Sequence, residues 1–194
     1  MEIVIIQYNA GNIQSVDFAL QRLGVNAEIT ADPEKIRKAD KVIFPGVGEA
    51  SGTMKYLKKN GLDKIIKSLK QPVLGICLGM QLMCSYSEEG PTTCMDILPA
   101  AVKKFTVRQG FKIPHMGWNK INALNHGIFS VLDQEYVYFV HSYYVPQNKH
   151  TTLTSNYDGI FSAAMQYKNF YGVQFHPEKS GDIGAQFLKK FITL

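Results

Sequence analysis

The sequence contains few cysteines, one tryptophan and no long hydrophobic run. Three cysteines occur in 194 residues, at spacings of seven and ten. An odd number at these spacings fits neither a disulfide framework nor a zinc-binding pattern. We therefore expect reduced thiols in a cytoplasmic protein, with no metal and no cofactor. No apolar run approaches the roughly 18 residues of a membrane helix, and the N-terminus lacks the basic region of a signal peptide.

Long basic runs and low-complexity linkers are also absent. The formal net charge is +5, but the lysines occur in pairs rather than in long runs. No stripe of basic and aromatic residues indicates a nucleic-acid surface. Because no linker or internal repeat divides the chain, residues 1–194 are predicted to form one domain, which is large enough to bury a full core.

Strand-like and helix-like segments alternate in the first half. Apolar runs predict strands at residues 3–6, 25–29, 41–44 and 73–76, with helical patterns between them. This alternation predicts an α/β fold whose open, mostly parallel sheet is flanked by helices. After residue 91 the pattern changes to strands at 102–105, 136–143, 162–167 and 170–175, followed by a helix at 183–191. The second half is therefore expected to be more antiparallel.

The segment Gly75-Ile-Cys77-Leu-Gly79 joins a predicted strand to a predicted helix. It matches the G-x-S-x-G pattern of a nucleophile on a sharp turn, with cysteine in place of serine. Small residues at 75 and 79 allow a tight turn, and the helix N-terminus favours a thiolate. Taken alone, the segment is equally consistent with a buried structural cysteine.

A base for this nucleophile is predicted at His176, in the segment Phe175-His-Pro-Glu178. Pro177 disfavours a helical conformation at His176, so the segment should be extended there. Residues two apart then point to the same side, which lets Glu178 orient the imidazole. The alternative is a histidine at the end of a strand, followed by an ordinary surface glutamate.

The glycine-rich turn Pro45-Gly-Val-Gly48 follows the third predicted strand. Acyl transfer at Cys77 needs two donors for the oxyanion, and we expect them from the N–H of Leu78 and from Gly46, Val47 and Gly48. Residues 46–52 also come near a dinucleotide-binding loop. However, Ser51 replaces its third glycine, and the loop follows the third strand instead of the first.

Together these motifs resemble the class I (triad) glutamine amidotransferases. The segment Pro114-His-Met-Gly-Trp-Asn119 is typical of a smaller group than the triad motifs, and it resembles the glutaminase subunits of imidazole glycerol phosphate synthase. The resemblance extends over nearly the whole chain and implies a flavodoxin-like sheet with a catalytic triad of Cys77, His176 and Glu178. It further implies that glutamine is held by Gly48, Gln81, His141, Ser142 and Tyr143.

The resemblance also implies a partner. Ammonia would pass to a separate (β/α)₈-barrel cyclase, HisF, in a heterodimer that makes imidazole glycerol phosphate and AICAR. The partner interface is expected at Asn12, His115, Met116, Trp118, Asn119 and Tyr138. Two alternatives remain open from the sequence, namely a paralogous amidotransferase that serves another synthase, for example in amidino-sugar formation, and a non-catalytic nucleotide-binding module.

Overall fold

The computed structural model describes residues 1–9, 11–106, 110–124 and 127–194. The strands are β1 (Ile3–Ile6), β2 (Glu28–Thr30), β3 (Lys41–Gly46), β4 (Val73–Cys77), β5 (Cys84–Ser87), β6 (Thr92–Thr93), β7 (Leu98–Lys104), β8 (His115–Ala123), β9 (Tyr136–His141), β10 (Tyr143–Tyr144), β11 (Thr151–Asn156), β12 (Ile160–Tyr167) and β13 (Phe170–Val173). The α-helices are α1 (Ile13–Arg22), α2 (Pro33–Lys38), α3 (Ala50–Lys59), α4 (Leu62–Ser68), α5 (Leu78–Met83) and α6 (Gly181–Ile192). Short 3₁₀ helices span Ile128–Leu132 and Pro177–Lys179.

Nine strands form the main sheet, in the order β2-β1-β3-β4-β13-β12-β11-β8-β9. The strands from β2 to β13 pair in parallel, and the pairs from β13 to β9 are antiparallel. A smaller sheet has the order β10-β7-β5-β6. The predicted α/β class is confirmed, including the antiparallel second half. The parallel part has the flavodoxin-like order 2-1-3-4-5, with β13 in the last position.

Strands β1, β3 and β4 are fully buried because helices cover both faces of the sheet. Ile3 and Ile5 of β1 face one apolar core, which includes residues of α1 and α6. Val4 and Ile6 alternate with them and face a second core, which includes residues of α2 to α5. The period of two along each strand therefore supplies both layers from the same short apolar runs.

Strand register brings the predicted catalytic segments together. Gly46, at the end of β3, pairs with Cys77, at the end of β4. On the other side of β4, Ile76 pairs with Val173, the last residue of β13 and three residues before His176. The carboxyl ends of three adjacent parallel strands thus meet at one edge of the sheet, where ligands bind in open α/β folds.

Some predicted boundaries differ from the structure. The strand expected at 25–29 is β2 at Glu28–Thr30, because Val25 still donates a hydrogen bond to the carbonyl of Leu20 at the end of α1. Strands β8 and β11 were not predicted, and β8 contains Trp118. Both strands are rich in polar residues, and pairing with neighbouring strands stabilises them.

Across the described ranges, no helix is long and apolar enough to cross a membrane. The longest, α6, has 12 residues. Within the same ranges, no group of three or more His, Cys, Asp or Glu side chains is arranged to hold a metal ion.

Candidate active site

Cys77 lies on a sharp turn between β4 and α5. Its φ of 52° is positive, which is uncommon for a residue other than glycine. The turn requires close approach of the backbone, since a Cβ atom on Gly79 would overlap the carbonyl oxygen of Phe44. A Cβ atom on Gly75 would collide with Met83 and with the backbone of α5. These contacts hold Cys77 at the N-terminus of α5, in the geometry of a nucleophile elbow.

His176 lies beside Cys77 and is held from behind by Glu178. Nδ1 of His176 is 2.7 Å from Oε1 of Glu178, and both side chains are buried. The same carboxylate oxygen accepts a hydrogen bond from Nδ2 of Asn12 at 3.0 Å. Because the carboxylate accepts from Nδ1, the other ring nitrogen, Nε2, is the one available toward the thiol.

The electrostatic environment favours a charged imidazole at His176. Burial alone lowers the pKa of the ring. A negative charge on the sulfur of Cys77, followed by the hydrogen bond and the charge of Glu178, outweighs burial and raises the pKa of His176 to about 10. A thiolate at Cys77 and a protonated imidazole at His176 therefore stabilise each other.

The turn after β3 lies on the opposite side of Cys77. Val47 and Gly48 line the same cavity as the cysteine, and Gly48 has a φ of 109°, which is favourable only for glycine. Tyr8, which follows β1, donates a hydrogen bond from its hydroxyl to the carbonyl oxygen of Pro45. Tyr8 is buried, and it fixes the start of the turn in which the oxyanion donors are expected.

A cavity of about 330 Å³ opens over these groups. Most of the residues predicted for chemistry or glutamine binding line it, and they are Val47, Gly48, Cys77, Leu78, Gln81, His141, Ser142, Tyr143 and His176. Gly46 and Glu178 are not part of the lining. Gly46 packs below the turn, against the backbone N of Gly79, and Glu178 lies behind the imidazole.

Glu89 also lines the cavity and was not predicted from the sequence. Its carboxylate accepts a hydrogen bond from the N–H of Ala50 at 2.9 Å. Burial, followed by the nearby charge of Glu49, raises its pKa, while the bond from Ala50 opposes the shift. Glu89 belongs to a polar Ser-Glu-Glu-Gly segment that carries no motif, so only the folded chain shows that it reaches the cavity.

Gln81 is anchored within the protein by its amide nitrogen. Nε2 donates to the carbonyl oxygen of Tyr143 at 3.0 Å and to Oε1 of Gln174 at 2.9 Å. Both amide protons are used, so only the Oε1 acceptor of Gln81 remains for a ligand in the cavity. Gln174, which the sequence did not single out, also donates from Nε2 to the sulfur of Cys77 at 3.6 Å.

A pair of buried histidines supports the far wall of the cavity. Nδ1 of His141 is 2.7 Å from the carbonyl oxygen of Tyr143, and Nε2 of His141 is 2.9 Å from Nδ1 of His115. Since a carbonyl only accepts, His141 carries its proton on Nδ1, and His115 must donate to it. Burial is the main cause that lowers the pKa of His141 to about 3 and of His115 to about 4.

Residues predicted at the partner interface divide into two groups. Trp118 and Met116 are exposed on the outer face of β8, with 55% and 62% of their surfaces accessible, and Tyr138 lies opposite Trp118 on β9. His115 and Asn12 were expected on this surface, but only 3% and 5% of their surfaces are accessible. In this chain His115 points inward from β8 and Asn12 binds Glu178, so their place at the interface stays a prediction.

Asn119 also belongs to the inward face. It is half-buried, its Nδ2 donates to the carbonyl oxygen of Asn156 at 2.9 Å, and the same atom lies 3.3 Å from Nε2 of His115. Ala10 and His126 lie outside the described residues.

The dinucleotide-binding alternative conflicts with the geometry of the 46–52 loop. A phosphate would occupy the N–H groups at the start of the following helix. In this protein the carboxylate of Glu49 accepts hydrogen bonds from the N–H groups of Ser51 and Gly52, at 2.9 and 2.8 Å. Glu89 accepts from Ala50 beside them. The carboxylates of Glu49 and Glu89 therefore already occupy the N–H groups that a phosphate would need.

A cysteine on an elbow, a histidine with a carboxylate partner and a glycine turn beside them define a thiol-dependent acyl-transfer site on an α/β sheet. The family model described as "Glutamine amidotransferase class-I" matches residues 4–194. A solved structure of a glutamine amidotransferase superimposes with a TM-score of 0.76 at 15% identity, over 98% of this chain and 97% of its own.

Two similar proteins show to which group within this family the chain belongs. The imidazole glycerol phosphate synthase subunit HisH of Bacteroides fragilis (strain YCH46) is 56% identical over 196 residues, which cover 100% of both chains. The HisH subunit of Pasteurella multocida (strain Pm70) is 50% identical over 98% of this chain and 96% of its own. The chain therefore belongs to the class I glutamine amidotransferases and, within them, to the HisH subunits of imidazole glycerol phosphate synthase.

Proposed function

We propose that this chain hydrolyses L-glutamine to glutamate and ammonia and passes the ammonia to a HisF cyclase, which makes imidazole glycerol phosphate and AICAR in histidine biosynthesis. The observation that carries the proposal is the position of Cys77 on its strained turn, beside an imidazole that Glu178 binds at 2.7 Å. We assign the whole span 1–194 to one amidotransferase domain, since the nine-stranded sheet includes strands from both halves. The site requires a reduced thiol, which fits work in the cytoplasm.

The first half-reaction forms a thioester. The thiolate of Cys77 attacks the side-chain carbonyl carbon of glutamine, and the N–H of Leu78 with those of the 46–48 turn stabilise the oxyanion. Protonated His176 gives its proton to the departing nitrogen, so the C–N bond breaks and ammonia leaves. The negative charge of the Cys77 thiolate and of Glu178 raises the pKa of His176 and so favours the protonated imidazole that this step needs.

Hydrolysis completes the cycle. Neutral His176 takes a proton from water, the resulting hydroxide attacks the thioester carbonyl, and the C–S bond breaks to release glutamate and the Cys77 thiolate. Glu178 stabilises the imidazolium and fixes its tautomer throughout. Asn12 donates to the same carboxylate oxygen and so limits rotation of Glu178.

Charge complementarity favours the amino acid head of glutamine at the outer end of the cavity. Glu89 contributes a carboxylate to the lining, and Gln81 contributes an acceptor oxygen, so both can bind the α-ammonium group. We assign the α-carboxylate to the backbone of residues 141–143. The carbonyl of Tyr143 in this segment is held by Gln81 and His141 from two sides.

The test is glutamate release with and without HisF and its nucleotide ligand. Cys77→Ala should lower turnover by at least about 10³-fold while partner binding is retained, because the alanine side chain offers no nucleophile. Cys84→Ala is the matched control, since Cys84 is buried and bonds the carbonyl of Met80 instead of facing the cavity. Its turnover should stay within about twofold of wild type.

Two results would contradict the proposal. Residual glutaminase activity in Cys77→Ala would show that another group is the nucleophile. Stimulation of the wild-type chain by a different synthase, and not by HisF, would place it in a paralogous pathway.

A further inference from the structure

Gln174 occupies a fully buried position between the nucleophile and the glutamine-binding residues. It directly follows β13, and none of its surface is accessible. Nε2 donates to the sulfur of Cys77 at 3.6 Å, and Oε1 accepts from Nε2 of Gln81 at 2.9 Å. One amide side chain therefore contacts the reacting sulfur with its donor end and the cavity-lining Gln81 with its acceptor end.

We propose that Gln174 is a catalytic residue that stabilises the Cys77 thiolate by a hydrogen bond and holds it in line with the glutamine-binding residues. This inference deepens the function proposed above and rests on it. The group it assists is the sulfur that attacks glutamine, and Gln174 itself neither gains nor loses a proton in the reaction.

Gln174 and His176 belong to the same short segment after β13 and act on the same atom. His176 is extended, with φ and ψ of −102° and 96°, and the chain bends at Gln174 and Phe175 just before it. Gln174 and His176 both reach Cys77, while Phe175 between them points into the apolar core. The sulfur therefore has a proton-transferring neighbour and a neutral donor on one short segment after β13.

A neutral donor complements His176, whose charge changes during the reaction. His176 loses its proton to ammonia and regains one from water before sulfur leaves. Gln174 keeps its donor protons in every step, so it contributes to thiolate stabilisation both when sulfur attacks glutamine and when it leaves the thioester. The bond between Gln174 and Gln81 fixes the orientation of the amide, because Gln81 can only donate there.

The test measures how alkylation of Cys77 by iodoacetamide depends on pH, followed on the Cys77 peptide by mass spectrometry. Gln174→Met keeps the size of the side chain but removes the donor, so the midpoint should rise by about one pH unit, a tenfold loss of thiolate. Gln174→Glu keeps the acceptor for Gln81 but places a carboxylate beside sulfur, so its midpoint should rise further.

The control variant is Gln166→Met, on the neighbouring strand β12. Gln166 does not line the cavity, and its midpoint should match wild type. Every variant keeps the titratable groups that face the sulfur, namely His176, Tyr8 after β1, and His141 and Glu89 across the cavity. Equal midpoints in wild type, Gln174→Met and Gln174→Glu would overturn the inference.

A measurement on the unaltered residue covers the case in which both Gln174 variants fail to fold. In the wild-type chain labelled with ¹⁵N-glutamine, one side-chain amide resonance should shift with pH at the alkylation midpoint, and Cys77→Ala should lack that shift. No such resonance would count against the inference. Neither readout requires glutamine turnover, so a failure here is separate from a failure of the proposed function, which Cys77→Ala tests by activity.

Discussion

Cys77 adopts a backbone conformation that its surroundings must stabilise. Residues outside the favoured φ/ψ regions cost on the order of 1–3 kcal/mol each. The compensation is visible in the packing of the elbow, where Gly79 lies directly against the carbonyl of Phe44 and Gly46 against the N–H of Gly79. The positive φ of Cys77 therefore depends on the glycines around it. Their close backbone packing holds the turn in the conformation that places the thiol in the cavity.

This packing predicts the effect of Gly79→Ala. In most helices alanine is more favourable than glycine by about 1 kcal/mol. Here the added methyl group overlaps Phe44, so we expect a loss of about 1–3 kcal/mol in the free energy of unfolding and a fall in glutaminase activity. Urea unfolding and the glutaminase assay measure both effects.

Gly52→Ala, within α3, is the control for Gly79→Ala. The nearest atom to its added Cβ is an oxygen of the flexible Glu49 side chain, at 3.1 Å. The stability of this variant should be unchanged or higher by up to about 1 kcal/mol. If Gly79→Ala were as stable and as active as Gly52→Ala, the close packing of the elbow would not constrain Cys77.

Local motifs predicted the residues of the triad, but not the residues that support them. Cys77, His176 and Glu178 each belong to a short segment whose glycine or proline pattern fixes its own geometry. Gln174 contacts Cys77 across 97 residues, and Glu89 contacts Ala50 across 39. Such contacts depend on strand order and loop path, which local patterns leave open.

The hairpin of β8 and β9 has two faces with different tasks. Inward residues include His115, Phe139 and His141, and outward residues include Trp118 and Tyr138. The alternation of buried and exposed positions along β8 is regular, yet its inward positions include histidine and asparagine, so no apolar pattern marked it as a strand. Antiparallel pairing on both sides explains the element where propensity does not.

His115 provides a prediction at the level of this hairpin. His115→Phe keeps stacking on Tyr157, whose ring centroid is 4.0 Å away, but it leaves Nε2 of the buried His141 without a donor. We expect a loss of about 1–3 kcal/mol in stability at pH 7. The KM for glutamine should rise more than kcat falls, because His141 holds the carbonyl of Tyr143 in the binding segment.

The pH dependence of His115→Phe has a definite sign. Burial lowers the pKa of His115 to about 4, below the value of about 6.5 in the unfolded chain. The stabilisation is therefore complete above pH 6.5 and is lost as the pH falls toward 4, where the unfolded state binds the extra proton. When the pH is lowered from 7 to 5, the free energy of unfolding of the variant should fall by about 1–2 kcal/mol less than that of wild type. Urea titrations at both pH values measure this difference. Equal losses would contradict a neutral, buried His115.

At the level of the whole molecule, the main sheet connects the catalytic residues to the aromatic pair on its edge hairpin. Cys77 lies at the end of a central parallel strand, while the aromatic pair Trp118 and Tyr138 lies on the edge hairpin, with ring centroids 6.1 Å apart. The hairpin contacts the catalytic segment directly through the backbone of Tyr138. Its carbonyl oxygen accepts a hydrogen bond from the N–H of His176 at 2.9 Å, and its N–H donates to the hydroxyl of Ser180 at 3.0 Å. A partner bound to the aromatic pair would therefore contact residues that are hydrogen-bonded to the backbone of His176.

This connection predicts different consequences for two equally exposed aromatic residues. Trp118→Ala should weaken HisF binding by at least about tenfold and reduce HisF-stimulated glutamate release, because buried aromatic anchors dominate interface energies. Phe18→Ala, on α1, is the matched control, since 54% of Phe18 and 55% of Trp118 are accessible. Titration calorimetry with HisF and the stimulated assay should show no change for Phe18→Ala, whereas equal losses in both variants would exclude the outer face of β8 and β9 as the docking surface.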